Sequence, residues 1–190
     1  FGAIIVDPNV PNAQILYVAI SGGSANFFLG SGLYKSIDGG ATWSDVGLGT
    51  FSGLVSDLLA IQENGQTVLY AADTGNGQAN SGGIYRSDAG GATWTPTNFP
   101  TTGSGYAGIR LAGSSVPTEL IYASAIDSTG VANRYSWDTV GNWSSLSWPD
   151  APGGAPTHRT HHNLFAVDPA HRGEVGPDLS GVGGKQPREY

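Results

Sequence analysis

The chain has no cysteine and no methionine. Without Cys there is no disulfide framework, no thiolate chemistry and no Cys-built metal site, and without Met there is no thioether ligand for haem. Charge is scarce as well: 8 Lys and Arg stand against 15 Asp and Glu, charged residues make up 12% of the chain, and the formal net charge is −7. No Lys/Arg cluster offers a footprint for phosphates, so no nucleic-acid partner is expected. No apolar run approaches the roughly 20 residues of a membrane-spanning helix, so no membrane partner is expected either. The chain begins at Phe1 without an initiator Met and shows no signal peptide, which fits a processed protein or a fragment. The compartment stays open, a secreted or periplasmic one included.

Turn formers are abundant. Thirty Gly and 11 Pro in 190 residues predict many turns and few helices, in a chain long enough for one sizeable core. The turns are organised by a repeated stretch. Ser36-Ile37-Asp38-Gly39-Gly40-Ala41-Thr42-Trp43 recurs as Ser87-Asp88-Ala89-Gly90-Gly91-Ala92-Thr93-Trp94. A worn copy follows, Ser136-Trp137-Asp138-Thr139-Val140-Gly141-Asn142-Trp143, and in all three Ser leads Trp by seven residues.

The residue types suit a hairpin corner. Asp38 is placed to accept N–H groups of its own turn. Gly39 and Gly40 allow positive φ. Thr42 and Trp43 re-enter a strand, and Ser36 is placed to cap or bridge the loop. In the second copy Ala89 holds the Asp position, with Asp88 next door as a substitute. The third copy lacks the Gly and Thr positions and rests on the shared register of Ser136, Asp138 and Trp143. Trp43, Trp94 and Trp143 are expected in the core.

The repeat extends beyond the corner. Ile4–Pro8, Ile15–Ile20 and Gly32–Ser36 read as strands, with a fourth starting at Thr42-Trp43. The second unit offers Leu58–Ile61, an Asn64-Gly65 hairpin turn, Val68–Ala72 and Ile84–Ser87. The third offers Gly108–Leu111, Leu120–Ser124 and Asn133–Ser136. Tyr17, Tyr70 and Tyr122 are spaced 53 and 52 residues apart. A fourth unit opens at Asn163–Pro169, which echoes Ile5-Val6-Asp7-Pro8. A period near 50 residues with four short strands predicts an all-β chain of four-stranded antiparallel β-propeller blades, about three plus the start of a fourth, over residues 1–172. Residues 173–190 are expected to be an irregular tail. Three blades leave open edges, so association with copies of itself is expected, with membership of a larger propeller or a covering tail as the alternatives.

The first corner fits S-x-D-x-G-x-T-W in full and resembles the Asp-box (BNR repeat) of sialidase-like, glycosyl-hydrolase-like β-propellers. The resemblance implies that the boxes are folding devices away from the ligand face, and it implies glycoside hydrolysis. The tail from Gly176 to Tyr190 resembles a bacterial cytochrome c-like segment. The C-x-x-C-H motif is absent and no haem is expected.

Four histidines, His158, His161, His162 and His171, concentrate in one region with Asp150 before and Asp168 after. Neutral imidazole can bind a metal or act as a base near pH 7. His161, His162 and Asp168 are therefore candidate catalytic residues, against the alternative of imidazoles that cap strand ends. Arg110, on an inner strand, is the best candidate for a ligand contact, whereas Arg86 and Arg134 share the position of Lys35 beside the corners and read as structural. Asp57, Asp73 and Asp127 are candidate Ca²⁺ ligands, because loop carboxylates suit a hard cation, and turn formation is the competing role for each. Asp57 and Asp150 are a conceivable carboxylate pair. Trp137, Trp148, Phe27 and Phe28 fall off the repeat and can stack on sugars or pack between blades. The expectation is a hydrolase of a glycoside or, with calcium and His161 or His162, of a small lactone or ester. The alternatives are a non-catalytic module that binds carbohydrate or protein and a piece of a larger propeller.

Overall fold

A computed structural model describes residues 2–10, 14–20, 32–51, 54–78, 81–101, 105–114, 120–127, 130–138 and 141–146. The expectations placed on Phe27, Phe28, Trp148, Asp150, the four histidines, Asp168, the fourth unit and the tail lie outside those residues.

The described residues are all-β, with three four-stranded antiparallel sheets and no helix. The first sheet holds β1 (Ala3–Val6), β2 (Leu16–Ile20), β3 (Gly32–Ser36) and β4 (Ser44–Asp45). The second holds β5 (Val55–Glu63), β6 (Gln66–Asp73), β7 (Gly83–Ser87) and β8 (Thr95–Pro96). The third holds β9 (Tyr106–Ser114), β10 (Leu120–Asp127), β11 (Ala132–Trp137) and β12 (Trp143–Leu146). In each sheet strand order follows chain order. The predicted Asn64-Gly65 turn is present, with φ of 51° and 79°, as a two-residue hairpin of matching twist requires.

Sheets stack through alternating side chains. The front face of the first sheet packs on the back of the second, and the front of the second on the back of the third. Tyr17, Ala19 and Leu33 on the front of the first sheet bury Val55, Leu58, Leu69 and Ala71 of the second. Tyr70, Ala72, Ile84 and Phe99 of the second bury Ile109, Leu111, Ile121 and Ala123 of the third. Leu33, Leu69, Ile84, Ile109 and Ile121 are each 0–1% exposed, and burying side chains of this size contributes roughly 1.5–3 kcal/mol apiece. Gly113 lies where a Cβ would fall 2.9 Å from Leu59 Cδ2 and 3.0 Å from Ile61 Cγ2, so the third sheet sits too close to the second there for a side chain. The first strands share one edge of the stack, with β5 in contact with both β1 and β9.

The corners close by different means. In the first, the Ser36 hydroxyl accepts the N–H groups of Gly40 at 2.8 Å and Asp38 at 3.3 Å, and donates to Asp38 Oδ1 at 2.8 Å. Asp38 in turn accepts the Thr42 N–H at 2.9 Å and the Thr42 hydroxyl at 2.6 Å. Thr42 is thereby held in the turn, which is why β4 starts at Ser44 rather than at Thr42. In the second corner Ser87 repeats the hydroxyl's work on Gly91 and Ala89. Asp88 does not substitute for the missing Asp38: its carboxylate pairs with Arg86 at 3.0 Å, two residues back along the same strand edge.

The third corner is one residue shorter than the sequence register suggests. Lys35 pairs with Ser44 and Arg86 with Thr95, nine residues on in each case, whereas Ser136 pairs with Ser144, eight residues on. Ser136 therefore stands at the register of Lys35 and Arg86, and Trp137 at that of Ser36 and Ser87. From its downstream end the corner is unchanged, since Asp138 Oδ1 accepts the Asn142 N–H at 2.8 Å, just ahead of Trp143. Arg134 is displaced by the same slip. It pairs with Ser124 and so occupies the register of Leu33 and Ile84, on the face of the sheet, rather than that of Lys35.

The three corner tryptophans are half-buried rather than core. Trp43 Nε1 donates to Gly40 O of its own turn at 3.0 Å, whereas Trp94 Nε1 reaches Val46 O of the first sheet at 2.8 Å. Trp143 Nε1 likewise reaches Thr97 O of the second sheet at 3.2 Å. Val46 and Thr97 each lie three residues after the tryptophan of the preceding corner. Trp137 packs between sheets, stacked on Trp143 at 5.7 Å and edge-on to Tyr70 at 5.4 Å.

Candidate functional site

Antiparallel order separates the two ends of the stack. The corners and the Asn64-Gly65 hairpin lie at one end. The starts of β1, β5 and β9 and the ends of β2, β6 and β10 lie at the other. Asp57, Asp73, Asp127 and Arg110 all fall at or near this second end.

The centre of that end is a bulge in β5. The register with β6 shifts between Val55 and Asp57, which leaves Ser56 unpaired by the ladder. Its hydroxyl accepts the Ile109 N–H at 3.2 Å and lies 3.0 Å from Ile109 O as donor. Asp57 Oδ2 accepts the Leu111 N–H at 2.8 Å, and Oδ1 accepts its neighbour Leu58 at 2.9 Å. Arg110 Nη1 donates to Ser56 O. The bulge thus stitches β5 to the side of β9 and occupies N–H groups that an edge strand would otherwise present. Burial pushes the Asp57 carboxyl above its ordinary value of 3.8, while the Leu111 and Leu58 N–H groups and the Arg110 charge offset part of the rise.

Asp57 and Arg110 stand at one register in adjacent sheets, because Asp57 pairs with Ala72 as Arg110 pairs with Ser124. Ala3, paired with Ala19, is their counterpart in the first sheet. Across the sheets the same row reads Ala3, Ala19, Leu33, then Asp57, Ala72, Ile84, then Arg110, Ser124, Arg134. The third sheet therefore carries two guanidinium groups flanking a hydroxyl where the first carries only apolar side chains. Arg134 is 7% exposed and Ser124 2%, and burial lowers the Arg134 pKa from its ordinary value. Arg110 is half-buried.

The other carboxylates serve their own loops. Asp73 is fully buried and accepts the Gly75 N–H at 2.9 Å. Asp127 accepts the Val131 N–H at 3.0 Å and the Asn133 side-chain amide at 3.4 Å. Among the described residues no three His, Cys, Asp or Glu side chains gather as a metal site. His161, His162 and Asp168 lie outside those residues.

Two features escaped the sequence. Ser56 carries no motif, and its role depends on a bulge. The Arg110, Ser124, Arg134 row depends on a strand register that the third corner disguises. A groove of about 600 Å³ lined by Pro8, Leu59, Gln62, Asn64 and Gly113 lies at the corner end, far along β5 from Asp57, and holds no titratable side chain. The sequence matches no protein-family model and no curated protein.

Proposed function

We propose that the chain is a run of Asp-box β-propeller blades whose inner-strand mouth binds a small ligand bearing a carboxylate, a carboxylated sugar above all. The stacked sheets, the shared inner edge of β1, β5 and β9 and the corner hydrogen bonds support the propeller reading. The single observation that carries the ligand reading is Arg110. Its guanidinium lies half-buried at the mouth, oriented by the Ser56 carbonyl, and a guanidinium fixed by one N–H keeps its remaining donors in a planar fork that matches a carboxylate.

Titration calorimetry with a nonulosonic acid or a hexuronate, against the neutral hexose, tests this. Binding of the acid is expected, with Arg110→Ala costing about 1.5–3 kcal/mol, roughly tenfold or more in Kd. Equal binding of the neutral sugar, or an Arg110→Ala variant that binds like the parent, overturns it.

Hydrolysis of a glycoside, or of a small lactone or ester, is a second reading. It is favoured by the position of the half-buried Asp57 carboxyl beside Arg110, where burial raises its pKa and the Leu111 and Leu58 N–H groups offset part of the rise. In that reading His161 or His162 would activate water, and Asp73 or Asp127 would hold a calcium ion able to supply Lewis-acid polarisation of a carbonyl. Release of an aryl leaving group that survives EDTA removes the calcium, and unchanged turnover after His161→Ala with His162→Ala removes the imidazoles.

A further inference from the structure

The groove at the corner end, of about 600 Å³, is floored by the edge of a strand. β5 is the first strand of its sheet and pairs only with β6 there. Asn64-Gly65 is a two-residue turn, so Glu63 and Gln66 close the hairpin as a hydrogen-bonded pair. Bonding alternates along an antiparallel ladder. Glu63, Ile61 and Leu59 therefore turn their main-chain groups to β6, and Gln62, Ala60 and Leu58 turn theirs away. Leu58 agrees with this alternation, since its N–H goes to the Asp57 carboxylate. Among the described residues no group takes the N–H or C=O of Ala60 or Gln62. Gly113 adds a donor from the facing wall. It continues the alternation of Ile109 and Leu111, whose N–H groups turn to Ser56 and Asp57.

The polar wall is fixed in direction. Asp7 is 8% exposed, and a carboxylate only accepts. It takes the Thr67 hydroxyl at 2.5 Å, Thr67 Oγ1 takes the Asn9 side-chain amide at 2.8 Å, and the Asn9 side-chain carbonyl takes the Gln62 amide. Asn9 also reaches Gly65 O at 3.4 Å, which ties the end of the first sheet to the hairpin. The chain of donors runs toward Asp7 and leaves Gln62 Oε1, in the groove lining, as an acceptor. Among the described residues no charged side chain lines the groove.

We infer that this groove takes an extended, uncharged peptide segment, which adds to β5 as a further strand. Ala60 and Gln62 each offer one N–H and one C=O, about 6.8 Å apart along the strand, which is the two-residue repeat of an extended main chain. The open edge is short. The bond from Asp57 to Leu111 blocks it at one end and the Asn64-Gly65 turn ends it at the other. Leu59 to Gln62 are left, enough for a segment of about four residues. The neutral lining, with the Gln62 and Asn64 amides, suits Ser, Thr or Asn side chains, whereas a Lys or Glu would lose water without gaining a partner. The tie from Asp7 to Gln62 holds the wall in place before binding, which lowers the ordering cost. Strand addition of this kind draws its affinity from main-chain bonds.

Hydrogen exchange followed by NMR on the full chain, with the blocked peptide acetyl-Thr-Val-Ser-Thr-amide, tests this. At peptide about ten times its Kd, exchange at the Ala60 and Gln62 amides is expected to slow about tenfold. Two analogues carry N-methyl groups on alternate peptide amides, one set in each. One set faces β5 and its analogue is expected to bind about tenfold or more weakly, while the other binds like the parent. Ala60→Pro removes an N–H that the β5–β6 ladder does not use, and is expected to weaken binding roughly fivefold with an unchanged circular dichroism spectrum. Two analogues that bind alike, whether well or poorly, overturn the inference, as does binding that leaves Ala60 and Gln62 exchange unchanged or no binding at all. The analogues use the wild-type chain, so the outcome stands even where Ala60→Pro fails to fold. Nothing in this groove involves Arg110, so peptide binding by a chain that binds no carboxylated sugar removes only the ligand reading.

Discussion

The first and second corners share a hydroxyl but divide the rest of the work differently. Ser36 and Ser87 are 1% and 2% exposed and hold equivalent N–H groups. The first corner adds Asp38 and closes on itself down to its indole. The second has Ala89 in that place and sends its indole to the Val46 carbonyl beside the first sheet. A turn can be completed by its own carboxylate or by its neighbours, and the second corner shows that packing suffices when the local bonds are missing.

Substitutions sharpen that contrast. Trp94→Ala removes an inter-sheet bond and edge contacts with Phe51, and is expected to cost about 3 kcal/mol, the low end for a large aromatic because the ring is half-buried. Trp43→Ala is expected to cost less than half of that, and urea unfolding of both variants checks the ranking. Ser87→Ala is expected to cost about 2 kcal/mol, since the Gly91 and Ala89 N–H groups lose their acceptor and the neighbouring Asp88 carboxylate is engaged by Arg86. The reverse change, Ala89→Asp, places a carboxylate within reach of Thr93, and a gain of about 0.5 kcal/mol is expected from the same measurement. A loss would show that the second corner lacks room for local closure.

Acid is the mildest probe. The Thr42 hydroxyl first, then the Thr42 N–H and the Ser36 hydroxyl, hold Asp38 at about 2 against an ordinary 3.8. A depressed folded value stabilises fully above the ordinary value and is lost as pH falls through about 2. Asp38→Asn is therefore expected to be less stable than the parent at pH 7 and to converge with it near pH 2. A stability gap that persists at pH 2 would show that the carboxylate's charge is not what matters.

Local chemistry was legible in the sequence and register across sheets was not. Strands, the Asn64-Gly65 turn and the first corner follow from residue type, because each is settled within a few residues. The third corner misleads for a physical reason. Without the glycines and threonine that fix turn length, strand pairing set its register, and Ser136 kept its spacing to Trp143 while standing one residue out. That slip hid Arg134 on the sheet face. Asp88 does not act in the turn because Arg86, its neighbour along the strand, competes for it. The meeting of Ser56 and Asp57 with Ile109, Arg110 and Leu111 joins residues more than fifty positions apart, which no local pattern encodes.

The bulge in β5 has a consequence for how the molecule fails. With the amides of Ile109 and Leu111 already taken, β9 is a poor template for a stray backbone and resists cross-β growth along that side. Weakening the bulge, by Ser56→Ala for instance, would strip the buried Ile109 amide of its acceptor and so cost folding stability while it frees one donor on that side of β9.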